Sequence, residues 1–276
     1  MVLRPLRPVT PSTDSVELYD RWLSEFQAAL ERGDDRWELC HQTLTQLFYP
    51  GLAGVDPSTL PLTTQVALAQ LDARNITLEP EYYAETDVER FMERKPLIWL
   101  WQMFDRTPLG ANIHLGPRFR RILAPFIFKR VGRNFKCFHF VEFSFGYNLE
   151  IGDDVVIHRN VLLDDRGGIA LGNKVSISDY ANVYSHTHSI ADQLDVTNAR
   201  TVIGDGVRIT YHATILAGAQ VGENSMVGAL ALATRDVRPW HVNVGIPAKS
   251  VRVKPNAPPE AYKNVVRAAR SEANDE

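Results

Sequence analysis

An aliphatic residue recurs at every sixth position through the second half of the chain, and this period restricts the fold more than any other feature. A period of six does not fit an α-helix, which repeats near ~3.6 residues, but it suits a strand followed by a corner. With a two-residue slip after residue 169 and a break after residue 183, the series runs Ile151, Ile157, Leu163, Ile169, Leu171, Ile177, Val183, Ile203, Ile209, Ile215, Val221, Val227 and Ala233. One coil cannot bury its own aliphatic residues, so neighbouring coils must stack into a solenoid, and we expect about 18 residues per coil.

Small residues often follow the aliphatic position, as Gly152 and Gly204 do. We expect them at tight corners, where glycine also permits a positive φ. Nearby Asn173 and Asn224 have side chains that favour turns. The alternative is a β-sandwich with strands at similar spacing, which thirteen positions in register disfavour.

Five segments inside this region match one family in order and spacing. They are residues 146–153 (GYNLEIGD), 160–164 (NVLLD), 183–188 (VYSHTH), 234–237 (TRDV) and 245–249 (GIPAK). Residues from about 140 to 252 thereby resemble the hexapeptide-repeat acyltransferases, in particular the maltose and galactoside O-acetyltransferase branch. The resemblance implies a left-handed parallel β-helix, a homotrimer, and acyl-CoA, in the first place acetyl-CoA, as the donor. Left-handed coils would be an exception to the usual right-handed crossover.

The sequence predicts helices in the first part of the chain. Most of this part lies outside the segment that resembles the acyltransferases. Leu18, Trp22, Phe26 and Leu30 form an apolar stripe at helical spacing that Gly33 ends. Further stripes fall within residues 37–48, 66–71 and 88–92, and Pro96 is expected to start another short helix.

The predicted fold class is therefore mainly β with α, a parallel β-helix preceded by helices. We expect three parts: a helical N-terminal region of unknown role (1–130), the β-helix acyltransferase domain (131–254) and a helical C-terminal tail (255–276). The basic and aromatic residues 118–130 lead into the first coil. We interpret them as a cap whose charged groups reach water, rather than as a membrane or RNA contact.

Acyl transfer to a hydroxyl group needs a base, and a neutral histidine suits that role near pH 7. The resemblance places the catalytic base at His188, immediately before residues 189–200, which cannot continue the coil and are expected to loop out. His186 lies two residues earlier, on the same face of an extended strand. Since the family has a small residue at that position, we expect His186 to support His188 or to contact the acceptor.

The acceptor is expected to bind at the first coils, on Ser144, His158, Asn160, Asp164 and His186. The family branch carries an aspartate where this chain has Ser144, and the loss removes an acceptor for sugar hydroxyl groups. We therefore expect a small polar molecule or glycan that differs from maltose and galactosides, acylated on a hydroxyl or an amine.

The donor is expected along the later coils. The resemblance assigns CoA contacts to Tyr211, Gly228, Thr234, Arg235, Lys249 and Arg252, the basic residues for the phosphates. Tyr211 replaces a small residue where the pantetheine arm passes. It either narrows the acyl channel or marks the loss of CoA chemistry.

Composition restricts the remaining choices. A net charge of −3 gives no general attraction to nucleic acid, and no apolar run reaches the length of a membrane span or follows the N-terminus as in a signal peptide. The two cysteines, Cys40 and Cys137, form neither a disulfide framework nor a zinc motif, which fits a reducing cytoplasm.

Two other functions remain open on the sequence. The first is a non-catalytic binding or structural β-helix, suggested by Tyr211 and the large N-terminal region. The second is a metalloenzyme like the γ-carbonic anhydrases, with zinc on histidines such as His158, His186, His188 and His212. That family's His-x4-His pair is absent from this chain, so we expect no bound metal.

Overall fold

The computed structural model describes residues 9–262, and these form two compact units. Residues up to 76 and 95–123 form a helical unit, whereas residues 77–94 and those from 124 onward form a solenoid unit. The helices are α1 (Thr13–Arg32), α2 (Arg36–Phe48), α3 (Leu62–Ala69), α4 (Val88–Phe104), α5 (Pro108–Ala111) and α6 (Gly116–Ile127). Short 3-10 helices cover Pro50–Leu52, Pro57–Thr59, Ala73–Asn75 and Glu79–Tyr82.

The helical unit packs around an aromatic centre, as the stripes predict. The rings of Phe104 and Phe119 lie 4.3 Å apart between centroids, and Trp22 stacks on Phe119 at 5.0 Å. Buried Arg120 donates to the buried carboxylate of Asp105, and such a pair is stable only when its hydrogen bonds are well formed.

Two positions at which the sequence predicts a helix end, Gly33 and Pro96, differ in outcome. Helix α1 ends at Gly33, whose φ of 80° is left-handed, as expected for a glycine after a helix. Pro96, in contrast, was expected to start a helix and lies inside α4. That expectation is wrong, because residues 88–92 and 97–104 belong to one continuous helix that tolerates the missing amide donor.

The solenoid is built from short parallel strands, and the predicted mainly β class with a preceding helical region is confirmed. The strands are β1 (Arg130–Val131), β2 (Lys136–Cys137), β3 (Glu142–Phe143), β4 (Leu149–Ile151), β5 (Val156–Ile157), β6 (Leu162–Asp164), β7 (Ile169–Leu171), β8 (Ser176–Ile177), β9 (Asn182–Tyr184), β10 (His186–His188), β11 (Val196–Asn198), β12 (Thr201–Ile203), β13 (Arg208–Ile209), β14 (Thr214–Ile215), β15 (Gln220–Val221), β16 (Met226–Val227), β17 (Leu232–Ala233), β18 (His241–Val244) and β19 (Lys249–Val253).

Three sheets form the three faces of the solenoid. Their strand orders are β1-β4-β7-β12-β15, β2-β5-β8-β13-β16-β18-β19 and β3-β6-β9-β14-β17. All thirteen aliphatic residues of the series are buried, none more than 2% exposed. Burying one such side chain contributes about 1.5–3 kcal/mol relative to exposure, so stacking of the coils stabilises the fold.

The coils are not uniform in length. In the first sheet Val131 pairs with Ile151 and Ile151 with Leu171, so two coils contain 20 residues rather than the predicted 18. The next coil, from Leu171 to Ile203, is longer still because it contains the break in the series, and the one after it, from Ile203 to Val221, has the predicted spacing of 18. The extra residues widen one corner, at residues 145–148 and 165–168, and the sequence slip after Ile169 reflects that corner.

The glycines after the aliphatic positions are needed for space. A Cβ on Gly152 would lie 2.6 Å from the backbone carbon of Gly172, one coil further on. The expected positive φ is wrong for Gly152 and Gly204 and falls two residues later, at Asp154 and Gly206. The backbone turns there, while the preceding glycine lets successive coils approach closely.

Aromatic residues fill the interior of the first coil. Phe128, immediately after α6, lies 4.9 Å from the ring of Phe143 and 6.3 Å from that of Phe135, edge to face in both cases. All three rings are buried. Helix α6 runs through Pro125. Of the predicted C-terminal tail, only residues 255–262 are described, and residues 263–276 lie outside the described part of the chain.

Candidate active site

The break in the hexapeptide series is a β-hairpin. Strands β10 and β11 pair antiparallel, with His186 opposite Asn198 and His188 opposite Val196. The predicted excursion therefore exists, but it leaves the coil at His186, before the expected start at residue 189. Ser185 fixes the exit point, since its buried hydroxyl donates to the Asp164 carbonyl and its own carbonyl accepts the Ala199 amide at 2.8 Å.

His188 lies on the first strand of this hairpin and is exposed. Its Nδ1 hydrogen-bonds to the backbone oxygen of Gln193. A carbonyl oxygen can only accept, so Nδ1 carries the proton and Nε2 of the neutral ring is left with its lone pair. The hairpin thus holds the imidazole in the tautomer that a general base requires.

His186 is held by a carboxylate. Its Nδ1 hydrogen-bonds to Oδ2 of Asp164, whose side chain is only 5% exposed. Ser144 donates to Oδ1 of the same carboxylate at 3.0 Å. The imidazole of His186 lies 5.1 Å from that of His188, nearly perpendicular to it. Three residues predicted for the acceptor therefore meet beside the predicted base.

A second cluster continues this site toward the N-terminal part of the chain. Buried Arg166 forms an ion pair with Glu85 and lies over the ring of Tyr83, 4.0 Å from its centroid. Partial burial raises the pKa of Glu85, but the hydrogen bond with Arg166, a backbone hydrogen bond and nearby positive charge together outweigh it, and the net shift is downward. Burial, together with the hydrogen bond to Glu79, raises the pKa of Tyr83 to about 12. Tyr83 therefore keeps its hydroxyl proton at neutral pH.

These groups surround a cavity of about 710 Å³. Its lining combines histidines, aromatic rings, one cation and two carboxylates, with an apolar side on the hairpin. The lining residues are Glu79, Tyr82, Tyr83, Ala84, Glu85, Arg166, His186, His188, Gln193, Leu194 and Val196. A concave site with a few convergent polar groups has the form of a small-molecule site.

Of the five predicted acceptor residues, only His186 lines this cavity; two are linked to it by hydrogen bonds, and the other two lie elsewhere. His158 stacks on Phe138 with ring centroids 5.0 Å apart, and Asn160 occupies a corner with a φ of 56°. Asn160 lines a separate hollow with Glu142 and Asn182. Both belong to the corner between the second and third sheets, whereas His186 follows the third sheet.

The predicted donor residues are spread over the later coils. Tyr211 is 56% exposed, beside a corner where Tyr180 stacks on His212. Thr234 and Arg235 are exposed after β17, and Lys249 and Arg252 are exposed on β19. Gly228 has a structural reason to be glycine, because a Cβ there would meet Val244 at 2.6 Å. None of these residues lines the cavity of His188.

The sequence analysis did not predict that residues 79–85 and Arg166 line this cavity. One signal was available: residues 164–168 (DDRGG) place three charged side chains and two glycines where the hexapeptide period slips. Because binding and catalytic residues are often carried by irregular segments on a rigid scaffold, this charged corner was a candidate for a site. Nothing in residues 79–85 indicates on its own that they reach this corner.

The described part of the chain contains no cluster of three or more His, Cys, Asp or Glu side chains arranged to hold a metal ion. Among residues 9–262, no helix has the length and apolar character needed to span a membrane.

The fold and the repeat define this chain as a left-handed parallel β-helix protein of the hexapeptide class. A hexapeptide-repeat acetyltransferase of Vibrio cholerae, crystallised with acetyl coenzyme A, superposes with a TM-score of 0.53 at 24% identity, over 66% of this chain and 98% of that protein. A second crystal structure of the same acetyltransferase gives a TM-score of 0.51 at 26% identity, over 63% of this chain and 96% of that protein.

Relatives by sequence agree with the fold. The galactoside O-acetyltransferase of Escherichia coli K12 is 28% identical over 137 residues, which are 48% of this chain and 68% of that enzyme. The galactoside O-acetyltransferase of Lactococcus lactis is 25% identical over 175 residues, 60% of this chain and 81% of that enzyme. No protein-family model matches the chain. By fold and by these likenesses, the chain is similar to the hexapeptide-repeat acyltransferases, the galactoside O-acetyltransferases among them.

Proposed function

We propose that this protein is an acyl-CoA-dependent acyltransferase that moves an acetyl group from acetyl-CoA to a hydroxyl or amine of a small polar or glycan acceptor. The observation on which the proposal rests is the cavity lined by His188 and His186, whose rings lie 5.1 Å apart. In each ring Nδ1 forms a hydrogen bond within the protein, so Nε2 can accept or donate a proton. The relatives named as acetyltransferases, and the one crystallised with acetyl coenzyme A, support the same donor.

In this reaction His188 acts as the general base. Nε2 takes the proton of the acceptor hydroxyl while the hydroxyl oxygen attacks the thioester carbon. The carbon–sulfur bond then breaks. The proton passes from His188 to the departing thiolate, so the products are the acyl ester and free CoA. The carbonyl of Gln193 stabilises the imidazolium that forms in between, because it accepts a hydrogen bond from Nδ1–H of both the neutral and the protonated ring. His186, held by Asp164, orients the acceptor.

The donor binds along the later coils in this proposal. Thr234, Arg235, Lys249 and Arg252 are exposed and available to the phosphate groups of CoA. These residues do not line the cavity of His188, an arrangement compatible with a donor that binds between two protomers. We therefore place the complete site between subunits of a homotrimer.

Exposed apolar side chains along one edge of the β-helix support this assembly. Phe140, Tyr180 and Leu230 are 42%, 45% and 66% exposed, and each occupies the corresponding corner of its coil with a positive φ. Asn160 and His212 hold the same corner in the coils between them, so the edge alternates apolar and polar side chains. Exposed apolar side chains grouped along one edge favour an association surface. We propose the cytoplasm as the compartment of this reaction, since the thiols of Cys40 and Cys137 would stay reduced there.

Acetyl-CoA binding, measured by calorimetry on the intact chain, tests the proposal together with thiol release in the presence of hydroxylated acceptors. We expect saturable binding, and turnover that is lost in His188→Ala while binding persists. Absence of acetyl-CoA binding would assign the protein to the non-catalytic β-helix class instead.

A further inference from the structure

One wall of the cavity comes from a segment far away in sequence. Residues 79–85 precede the first coil by more than 40 positions, and they belong to the solenoid unit rather than to the helical unit. The wall begins as the 3-10 helix Glu79–Tyr82. From this wall Glu79, Tyr82, Tyr83 and Glu85 reach the cavity that His186 and His188 line.

Hydrogen bonds and an ion pair fix this wall to the widened corner of the β-helix. Glu85 pairs with Arg166 in one coil. In the coil before it, the hydroxyl of Tyr147 accepts the amide of Asp87 at 3.0 Å, and its carbonyl accepts Arg90 at 2.9 Å. Arg166 and Tyr147 are largely buried, so each contact has one partner shielded from solvent, and together the contacts hold the wall against the β-helix.

The fixed charges of the cavity lining are predominantly negative. Glu79 and Glu85 contribute two negative charges and Arg166 one positive charge, while the two histidines are neutral when acting as bases. The carboxylate of Asp164 lies directly behind His186. Arg166 is already paired with Glu85 and has a side-chain exposure of only 5%, so it is poorly placed to neutralise an incoming anion.

Aromatic surface accompanies these carboxylates. Tyr82 is 79% exposed beside Glu79, and Tyr83 donates its hydroxyl to the same carboxylate. Aromatic faces next to carboxylates favour the apolar faces of hydroxylated rings and ammonium groups. They provide no donor array for a phosphate or a carboxylate.

We propose that residues 79–85 form the acceptor-selecting wall of this site, and that it selects neutral or ammonium-bearing hydroxylated molecules over phosphorylated or carboxylated ones. This inference rests on the proposed acyltransferase function and deepens it. Glu79 is the residue through which the charge preference acts most directly, because its carboxylate has no cationic partner among the lining residues.

The test uses matched acceptor triplets on the intact protein with acetyl-CoA. Each triplet combines a neutral molecule with its amino and phosphate derivatives, on glucose, galactose and myo-inositol scaffolds. We expect the largest kcat/KM on a neutral or amino member, and at least about a tenfold lower value on the phosphate, which corresponds to ~1.4 kcal/mol. If acetyl-CoA binds and no member is acylated, the Kd of each member is measured instead, and the phosphate derivative should bind at least about tenfold more weakly than the neutral or amino member.

Two variants separate a charge effect from a general loss. Glu79→Gln keeps an acceptor for the Tyr83 hydroxyl but removes the charge, so the amino-to-phosphate ratio of kcat/KM should fall about three- to tenfold. Glu89→Gln removes one charge from the exposed start of α4, outside the cavity lining, and should leave the ratio unchanged.

The outcomes separate the two proposals. A phosphorylated acceptor that reacts best, or an unchanged ratio in Glu79→Gln, overturns the selecting wall while acyl transfer stands. A protein that binds neither acetyl-CoA nor any acceptor overturns the proposed function, and the selecting wall with it.

Discussion

The imidazole of His186 donates from Nδ1 to the buried carboxylate of Asp164, and His186 lines one cavity together with His188. Ser144 donates to the other oxygen of that carboxylate, so its orientation is fixed from two sides. His188 has only a backbone carbonyl on the hairpin as its Nδ1 partner. The two histidines thus differ in how they are held: one by the coil and one by the excursion.

This difference predicts distinct effects of removing each histidine. His188→Ala should lower kcat by about 10²–10⁴, the range for a lost acid–base group, with acetyl-CoA binding nearly intact. His186→Ala should cost less in kcat and act mainly on the KM of the acceptor. Steady-state kinetics and calorimetry check both variants. The reverse order of the two losses would transfer the role of the base to the Asp164–His186 pair.

Tyr211 should limit the length of the acyl group. Its bulky side chain is more than half exposed on the coil after the hairpin, where the resembling enzymes have a small residue. Tyr211→Gly should keep acetyl-CoA turnover and extend it to longer acyl-CoAs, measured as kcat/KM against chain length. An inactive native protein that gains acetyl-CoA binding in this variant would show that Tyr211 blocks the donor.

The protein should be a homotrimer, the assembly in which the proposed site lies between subunits. Light scattering at assay concentration should give three times the 31.1 kDa chain mass. Leu230→Glu, on the exposed apolar edge, should shift the mass toward that of the monomer and lower turnover with it. A native monomer that remains fully active would contradict a site shared between subunits.

Contact between coils should make Gly152 intolerant of any side chain. A Cβ there would lie 2.6 Å from the Gly172 backbone, and overpacking of this kind costs about 1–3 kcal/mol. Gly152→Ala should therefore lower the urea midpoint of the solenoid unit. Gly51→Ala is the control, because a Cβ there meets no atom within 4 Å and its effect should stay within about 0.5 kcal/mol. Equal losses of stability in the two variants would contradict the explanation that Gly152 is needed for the close approach of successive coils.

Asp165 should make stability fall as pH rises through the mildly acidic range. Burial raises its pKa from 3.8 to about 6, although the amides of Phe145, Gly146 and Asn148 oppose the shift and Asp164 adds to it. With the folded pKa above the unfolded one, the native state binds more protons between these values. The stabilisation is complete below pH 3.8 and is lost as pH passes about 6.

Asp165→Asn should remove that slope, and urea midpoints between pH 4 and 7 measure it. The difference between the native protein and the variant is expected on the order of 1–3 kcal/mol across the window. Asp153→Asn is a control of opposite sign, because hydrogen bonding to Arg133 lowers the pKa of the exposed Asp153. A slope that survives in Asp165→Asn would assign the titration to another group.

Much of the β-helix was predictable because its determinants are local. A hydrophobic residue at every sixth position demands burial on a flat face, and only stacked coils satisfy that demand along the whole series. The helical stripes predicted α1 and α2 for the same reason. The merged helix α4 was not predictable, because the cost of Pro96 inside a helix is outweighed by packing, as in the complete burial of Leu97 and Leu100.

The sequence alone determined the repeat, the stacked coils, the two histidines and their place at the break in the series. Only the tertiary structure decided that Glu79, Tyr83 and Glu85 line the same cavity, some 80 positions before Arg166. It also separated His158 and Asn160 from that cavity. The physical reason is that periodic burial is recorded in neighbouring residues, whereas a site depends on contacts between segments whose meeting leaves no period in the sequence.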